Sequence, residues 1–259
     1  MSTQLVAPRH ARLPLAVVAA IAVAWALAIA AQATGQGGAL HHDELLGHGP
    51  PLWVALALSL ATWQAMTAAM MLPSSVPLVR LFARASAGQP QPGTALTAFL
   101  GGYALVWTGF ALLAFLADVS VHAVIDAAPS LREYEWVIGG SVLAIAGAFQ
   151  LTPLKATCLR ECRHPGAFLL RFYERGAAGG FRVGARHGLF CVGCCWGLML
   201  VMFAVGVANL LWMAVFTLVM VYEKTRPVGA RTVRATGIAL LGAAAVVLGW
   251  SANAAGALG

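Results

Sequence analysis

Apolar residues occur along this chain in unbroken blocks rather than on one stripe of each helical turn, and polar residues gather between the blocks. A helix needs about 20 predominantly apolar residues to cross a hydrocarbon core. Blocks of that kind run from Leu13 to Ala33, Leu52 to Leu72, Ala95 to Ala117, Trp136 to Leu154 and Thr236 to Ala255. A further block, Gly188 to Tyr222, is 35 residues long, too much for one span. It contains Gly206-Val207-Ala208-Asn209, where glycine can end one helix and asparagine can cap the next. Dividing it there predicts spans at 188–206 and 208–223. With the other five, the pattern predicts one all-α domain, a polytopic membrane helix bundle of about seven transmembrane helices.

Composition agrees. The 259 residues are 60% hydrophobic and 10% charged, with a mean hydropathy of +0.81, which excludes an ordinary soluble domain of this size. The formal net charge of +7 does not point to nucleic acid, because the basic residues occupy short loops instead of one face. They read as topology. With Arg9 and Arg12 inside, seven spans leave only Arg132 of the 16 Lys and Arg residues outside, whereas six spans would put the last four outside. The expectation is a bacterial-type inner (plasma) membrane protein with its N-terminus cytoplasmic and its C-terminus external. Arg9, Arg12 and Ala31-Gln32-Ala33 resemble a cleavable signal, but the apolar core exceeds the usual length, so the first span is expected to be retained. Gly101-Gly102 and Gly139-Gly140 are expected at close helix contacts.

The five cysteines fall in two groups, Cys158-x3-Cys162 and Cys191-x2-Cys194-Cys195. Each group shares one helix face if the fourth span continues past Pro153 and the fifth begins near Gly188. Both lie at cytoplasmic ends, a reducing location that argues against disulfides. Thiolates select Cu(I), zinc and iron–sulfur clusters. Four thiolates would also suit a closed zinc site. Thioethers favour copper: Met70 and Met71 lie in the second span, and Met199 and Met202 continue the face of Cys195. His187, four residues before Cys191, joins the candidate ligands. Between the two groups, the cytoplasmic segment 155–187 alternates Phe168, Leu169, Phe172 and Tyr173 with Arg171, Glu174 and Arg175, as an amphipathic helix at a lipid interface would. On the external side, His41, His42 and His48 form one cluster. Asp118, His122 and Asp126, spaced by four, form another, and either is a candidate for metal capture.

Three segments carry a resemblance. They are Trp63-Gln64-Ala65-Met66-Thr67-Ala68-Ala69-Met70-Met71-Leu72-Pro73, Gln150-Leu151-Thr152-Pro153-Leu154-Lys155-x2-Cys158-Leu159-x2-Cys162-Arg163-x-Pro165 and Gly188-x2-Cys191-x-Gly193-Cys194-Cys195-Trp196-x-Leu198-Met199. Together with Asn209-Leu210 and Glu223-Lys224 they resemble a family of predicted metal-binding integral membrane proteins, some labelled copper chaperones. The resemblance covers roughly residues 55 to 240 and implicates Cys158, Cys162, Cys191, Cys194 and Cys195 as ligands. It implies metal binding; taken with the thiols and thioethers, it leads to the expectation of Cu(I) handling, by transport or delivery, with a metal-donor or acceptor protein as partner. Two other readings stand beside it: a structural-zinc scaffold or assembly subunit, and a thiol- or haem-dependent oxidoreductase subunit. No P-loop, Gly-x-Ser-x-Gly elbow or His-Glu-x2-His run is present, so catalysis is not expected.

Overall fold

The computed structural model describes residues 14–35, 50–128, 135–205, 209–226 and 229–256. Among them are nine helices and no strand: α1 Leu15–Ala33, α2 Leu52–Ser86, α3 Pro92–Ala127, α4 Glu135–Gln150, α5 Pro153–Arg163, α6 Pro165–Phe172, α7 Gly176–Val205, α8 Leu210–Thr225 and α9 Gly229–Gly256. Five of these, α1, α2, α3, α7 and α9, are long and apolar enough to cross a membrane, and the bent pair α4–α5 raises the number to six. The expected sixth span, 208–223, corresponds to α8, whose 16 residues fall short of that length. Leucines such as Leu113, Leu116, Leu211 and Leu218 point outward from the bundle, an apolar exterior suited to lipid. The proposed break at Gly206-Val207-Ala208, and Arg9, Arg12 and Arg132, lie outside the described residues.

Helix α2 runs 14 residues beyond the expected end at Leu72, through Pro73 and Pro77. Proline within a helix normally frees the carbonyl four residues earlier. Here the carbonyl of Ala69, four before Pro73, accepts a hydrogen bond from Trp25 Nε1 of α1 at 3.1 Å. The orphaned acceptor therefore becomes a clamp between α1 and α2, and the helix continues.

At Pro153 the outcome is the opposite. The expected continuous helix breaks at Leu151–Thr152, and α4 and α5 meet at a bend of 64°. A residue before proline avoids helical geometry, and Thr152 is extended, with ψ 150. Its hydroxyl caps α5 by accepting from the Lys155 backbone N–H at 3.3 Å, with Pro153 in the first turn. Cys158 and Cys162 thus ride on a short helix aimed by this bend.

The contact that organises the bundle is between α3 and α7. Gly180, Gly184 and Gly188 recur every fourth residue on α7, and an added Cβ at Gly180 or Gly184 would overlap the carbonyl oxygen of Ala95 or Phe99. Such spacing lets two backbones approach. The successive pairings Gly180 with Ala95, Gly184 with Phe99 and Gly188 with Tyr103 make the two helices parallel. Gly102 and Gly140 also sit at tight contacts, as expected, whereas Gly101 and Gly139 have open space. Helix α7 begins at Gly176, 12 residues before the expected start of the fifth span at 188. The segment 155–187 is therefore mostly α5, α6 and the first turns of α7. In α6, Phe168 and Leu169 are buried against Val79, Phe82 and Phe99, while Leu170 is exposed.

Candidate functional site

The bend at Thr152 lays α5 against α7, and the two cysteine groups meet. Cys162 Sγ lies 3.8 Å from Cys194 Sγ, and Cys194 Sγ lies 3.3 Å from Cys195 Sγ. Gly193 makes room for the neighbouring thiol: a Cβ there would sit 2.6 Å from Cys158 Sγ. All five cysteines are free thiols. Cys191, Cys194 and Cys195 are buried, and Cys158 and Cys162 are partly exposed, so the α5 thiols form the accessible side of the group.

Beneath the thiols lies a polar layer made by four helices. Lys224 Nζ at the end of α8 donates to Ser74 Oγ of α2 at 2.9 Å and to Cys191 Sγ of α7 at 3.2 Å. Tyr103 of α3 places its hydroxyl 3.2 Å from the same sulfur. The neighbouring Glu223 is taken by Lys155, Oε2 to Nζ 2.8 Å, with both side chains 1% exposed. Glu223 also accepts from Gln150 Nε2 at 3.3 Å, and its carbonyl oxygen accepts from Arg163 Nε at 2.6 Å. These bonds tie both ends of α5 to α8 and fix where Cys158 and Cys162 stand.

The expectation that Lys155 and Lys224 serve only as loop charges is corrected here. Both are buried and hydrogen-bonded, 1% and 4% exposed: Lys155 is paired with Glu223, and Lys224 is held by Ser74 and Cys191. Glu223 is likewise buried and held by Lys155.

His187 is buried and engaged by Ser75 and Tyr103. Its Nε2 lies 3.1 Å from Ser75 Oγ, and its ring stacks on Tyr103 with centroids 5.4 Å apart. Met70 and Met71 are fully buried in the same core cluster as Cys191, Cys194 and Cys195. Asp118 and His122 are adjacent on α3, with Nδ1 3.5 Å from Oδ1, and Asp126 follows one turn later. His41, His42 and His48 lie outside the described residues. Among the described residues, no three or more His, Cys, Asp or Glu side chains enclose a metal-sized position. Two sulfur contacts, Cys162 with Cys194 and Cys194 with Cys195, join the groups, and among the described residues they are not part of a closed tetrahedron of the kind structural zinc uses.

Ser74, Ser75 and Tyr103 were not among the expected site residues, and no short-range pattern marks them. Lys224 had a signal: the pair Glu223-Lys224 closes an apolar block where two charges would otherwise be costly.

A family model described as PpoB2, copper chaperone, matches residues 60–247. Neither a curated protein nor a solved structure matches the chain. The match covers well over half of the sequence and includes every cysteine, so the chain belongs to this copper chaperone family, and copper handling is the function the family indicates.

Proposed function

We propose that this copper chaperone family member holds Cu(I) between thiolates of α5 and α7 at the cytoplasmic end of a membrane bundle and passes it to a partner protein. The observation that carries the proposal is the 3.8 Å separation of Cys162 Sγ and Cys194 Sγ across two helices. Two sulfurs bound to one metal at about 2.3 Å stand about 3.8 Å apart at a tetrahedral angle and about 4.0 Å at a trigonal one. A closed shell is not required, because a soft, singly charged ion accepts two or three thiolates.

Charge supports the reading. Two thiols binding Cu(I) release two protons and leave a complex of charge −1, and the buried ammonium of Lys224 beside Cys191 would balance it in a low-dielectric interior. Half-exposed Cys158 and Cys162 give the metal a way in and out by ligand exchange. Seven spans with the N-terminus inside, drawn from the Lys and Arg distribution, put this end on the cytoplasmic face of a bacterial-type inner membrane.

The test is metal content and retention. The purified chain should bind Cu(I) in preference to zinc, and Cys162→Ser and Cys194→Ser should each weaken retention against a chromogenic Cu(I) chelator at least tenfold. Zinc at one equivalent, with no copper retained, would overturn the proposal.

A further inference from the structure

Apart from Met1, the chain has seven methionines. They lie on three helices: Met66, Met70 and Met71 on α2, Met199 and Met202 on α7, Met213 and Met220 on α8. Every one is at most 2% exposed, and every one belongs to the core cluster that holds Cys191, Cys194 and Cys195. The other large cluster, around Phe82, Phe99 and Phe168, is filled with leucine, valine, alanine and phenylalanine and contains no methionine. Methionine is a common gap filler, but a filler has no reason to avoid one core and crowd into the other beside the thiols.

The register of the helices orders these thioethers. Ser74, Cys191 and Lys224 are hydrogen-bonded through one ammonium and so share a level. The Gln64 amide donates to the Ala104 carbonyl at 3.0 Å, and Phe82 stacks on Phe99, so α2 runs opposite to α3 and to its parallel neighbour α7. Helix α8 returns from the end of α7 to the same lysine. From the shared level, Met71, Met70 and Met220 are three or four residues away, Met66 and Met199 both eight, and Met202 and Met213 both eleven. At 1.5 Å per residue these are heights of about 5–6, 12 and 16 Å.

We propose that these residues form a ladder of neutral thioether sites for Cu(I), three rungs leading from the cysteine group about 16 Å into the bundle, roughly half of a bilayer core of about 30 Å. The proposal rests on the copper reading given above and deepens it. Thioethers are soft ligands suited to Cu(I). They carry no proton and no charge, so the ion moves along them by ligand exchange with no change of oxidation state. At the lowest rung Cys194 and Cys195 displace thioether, each releasing its proton. Divalent zinc finds no comparable ligand on the upper rungs.

Selenomethionine places a reporter on the ladder and leaves the cysteines as sulfur. The full-length protein, labelled in this way and loaded with Ag(I) as a redox-inert stand-in, should show a metal shell in the selenium-edge X-ray absorption spectrum. That shell should persist in the Cys194→Ser, Cys195→Ser protein. It should fall at least threefold in a protein carrying Met66→Leu, Met199→Leu, Met202→Leu and Met213→Leu, volume-conserving changes that remove the two upper rungs. Metal retained by the cysteines with no selenium contact would overturn the ladder and leave the thiol site standing. A chain that binds no Ag(I) or Cu(I) would remove both. Should the fourfold variant fail to fold, the spectrum of the labelled wild-type protein decides alone.

Discussion

Exchanging Glu223 for glutamine removes one charge from a pair that water does not reach. Lys155 and Glu223 are 1% exposed and 2.8 Å apart, so solvent does not soften the loss. Breaking a buried pair from one side costs about 3–5 kcal/mol, because the remaining charge is left without compensation. Glu223→Gln and Lys155→Met should each lose that much. The protein carrying both should lie within about 1 kcal/mol of the wild type, since neither member of the pair is left stranded as a charge and the new amide still offers an acceptor to Gln150. Unfolding in mixed micelles, followed by the reactivity of buried Cys191, Cys194 and Cys195, measures all four corners of the cycle. The exposed pair Arg182 and Glu174 serves as contrast, because Arg182→Ala should cost less than about 1 kcal/mol. Function should follow stability only in part. Glu223 touches no sulfur, yet it aims α5, so Glu223→Gln should also loosen Cu(I) held by Cys162 and Cys194 under conditions where the protein is folded. Additive single losses, with the double variant as damaged as their sum, would refute the argument that the cost comes from stranded charge.

Other outcomes follow from the same geometry. Gly184→Val forces a side chain into the Phe99 carbonyl and should abolish a monodisperse folded protein on size exclusion, whereas Gly101→Ala, which meets open space, should be neutral. Trp25→Phe leaves the Ala69 carbonyl without its donor and should lower stability by about 1–3 kcal/mol. Retention of Cu(I) should strengthen as pH rises, because each ligating thiol must lose a proton. With two thiols involved, chelator competition should show up to about a hundredfold tighter binding per pH unit while both are protonated in the free protein. Lys224→Met should weaken Cu(I) retention at least tenfold with the sulfurs intact, since the charge −1 complex then has no buried cation beside it.

Hydrophobic blocks made most of the helices legible, because the central stretches of α1, α3 and α9 are apolar on every side and need no partner to be recognised. Proline was harder to read. Pro73 and Pro153 look alike in sequence, yet α2 passes through the first because Trp25, 44 residues away, takes the freed carbonyl, while the second breaks the helix because Thr152 can cap a new one. The early start of α7 was hidden by Arg182, Arg186 and His187, whose polarity suggested a loop. The informative feature was the glycine at every fourth position, which belongs to helix packing rather than hydropathy. At the candidate site, the cysteine spacing pointed to two helix faces, and the structure brings Cys162 and Cys194 to 3.8 Å. The pairing of Lys155 with Glu223 and the approach of Lys224 to Cys191 bridge 68 and 33 residues. Such contacts exist only once α5, α7 and α8 have crossed, so residue type and local spacing could not announce them.

The most direct measurement is the copper-edge X-ray absorption spectrum of the Cu(I)-loaded protein, compared with Cys162→Ser and Cys194→Ser. A sulfur-only shell at about 2.3 Å that loses one scatterer in either variant would show the α5 and α7 thiols sharing one ion. A nitrogen or oxygen shell indifferent to both substitutions would contradict the account.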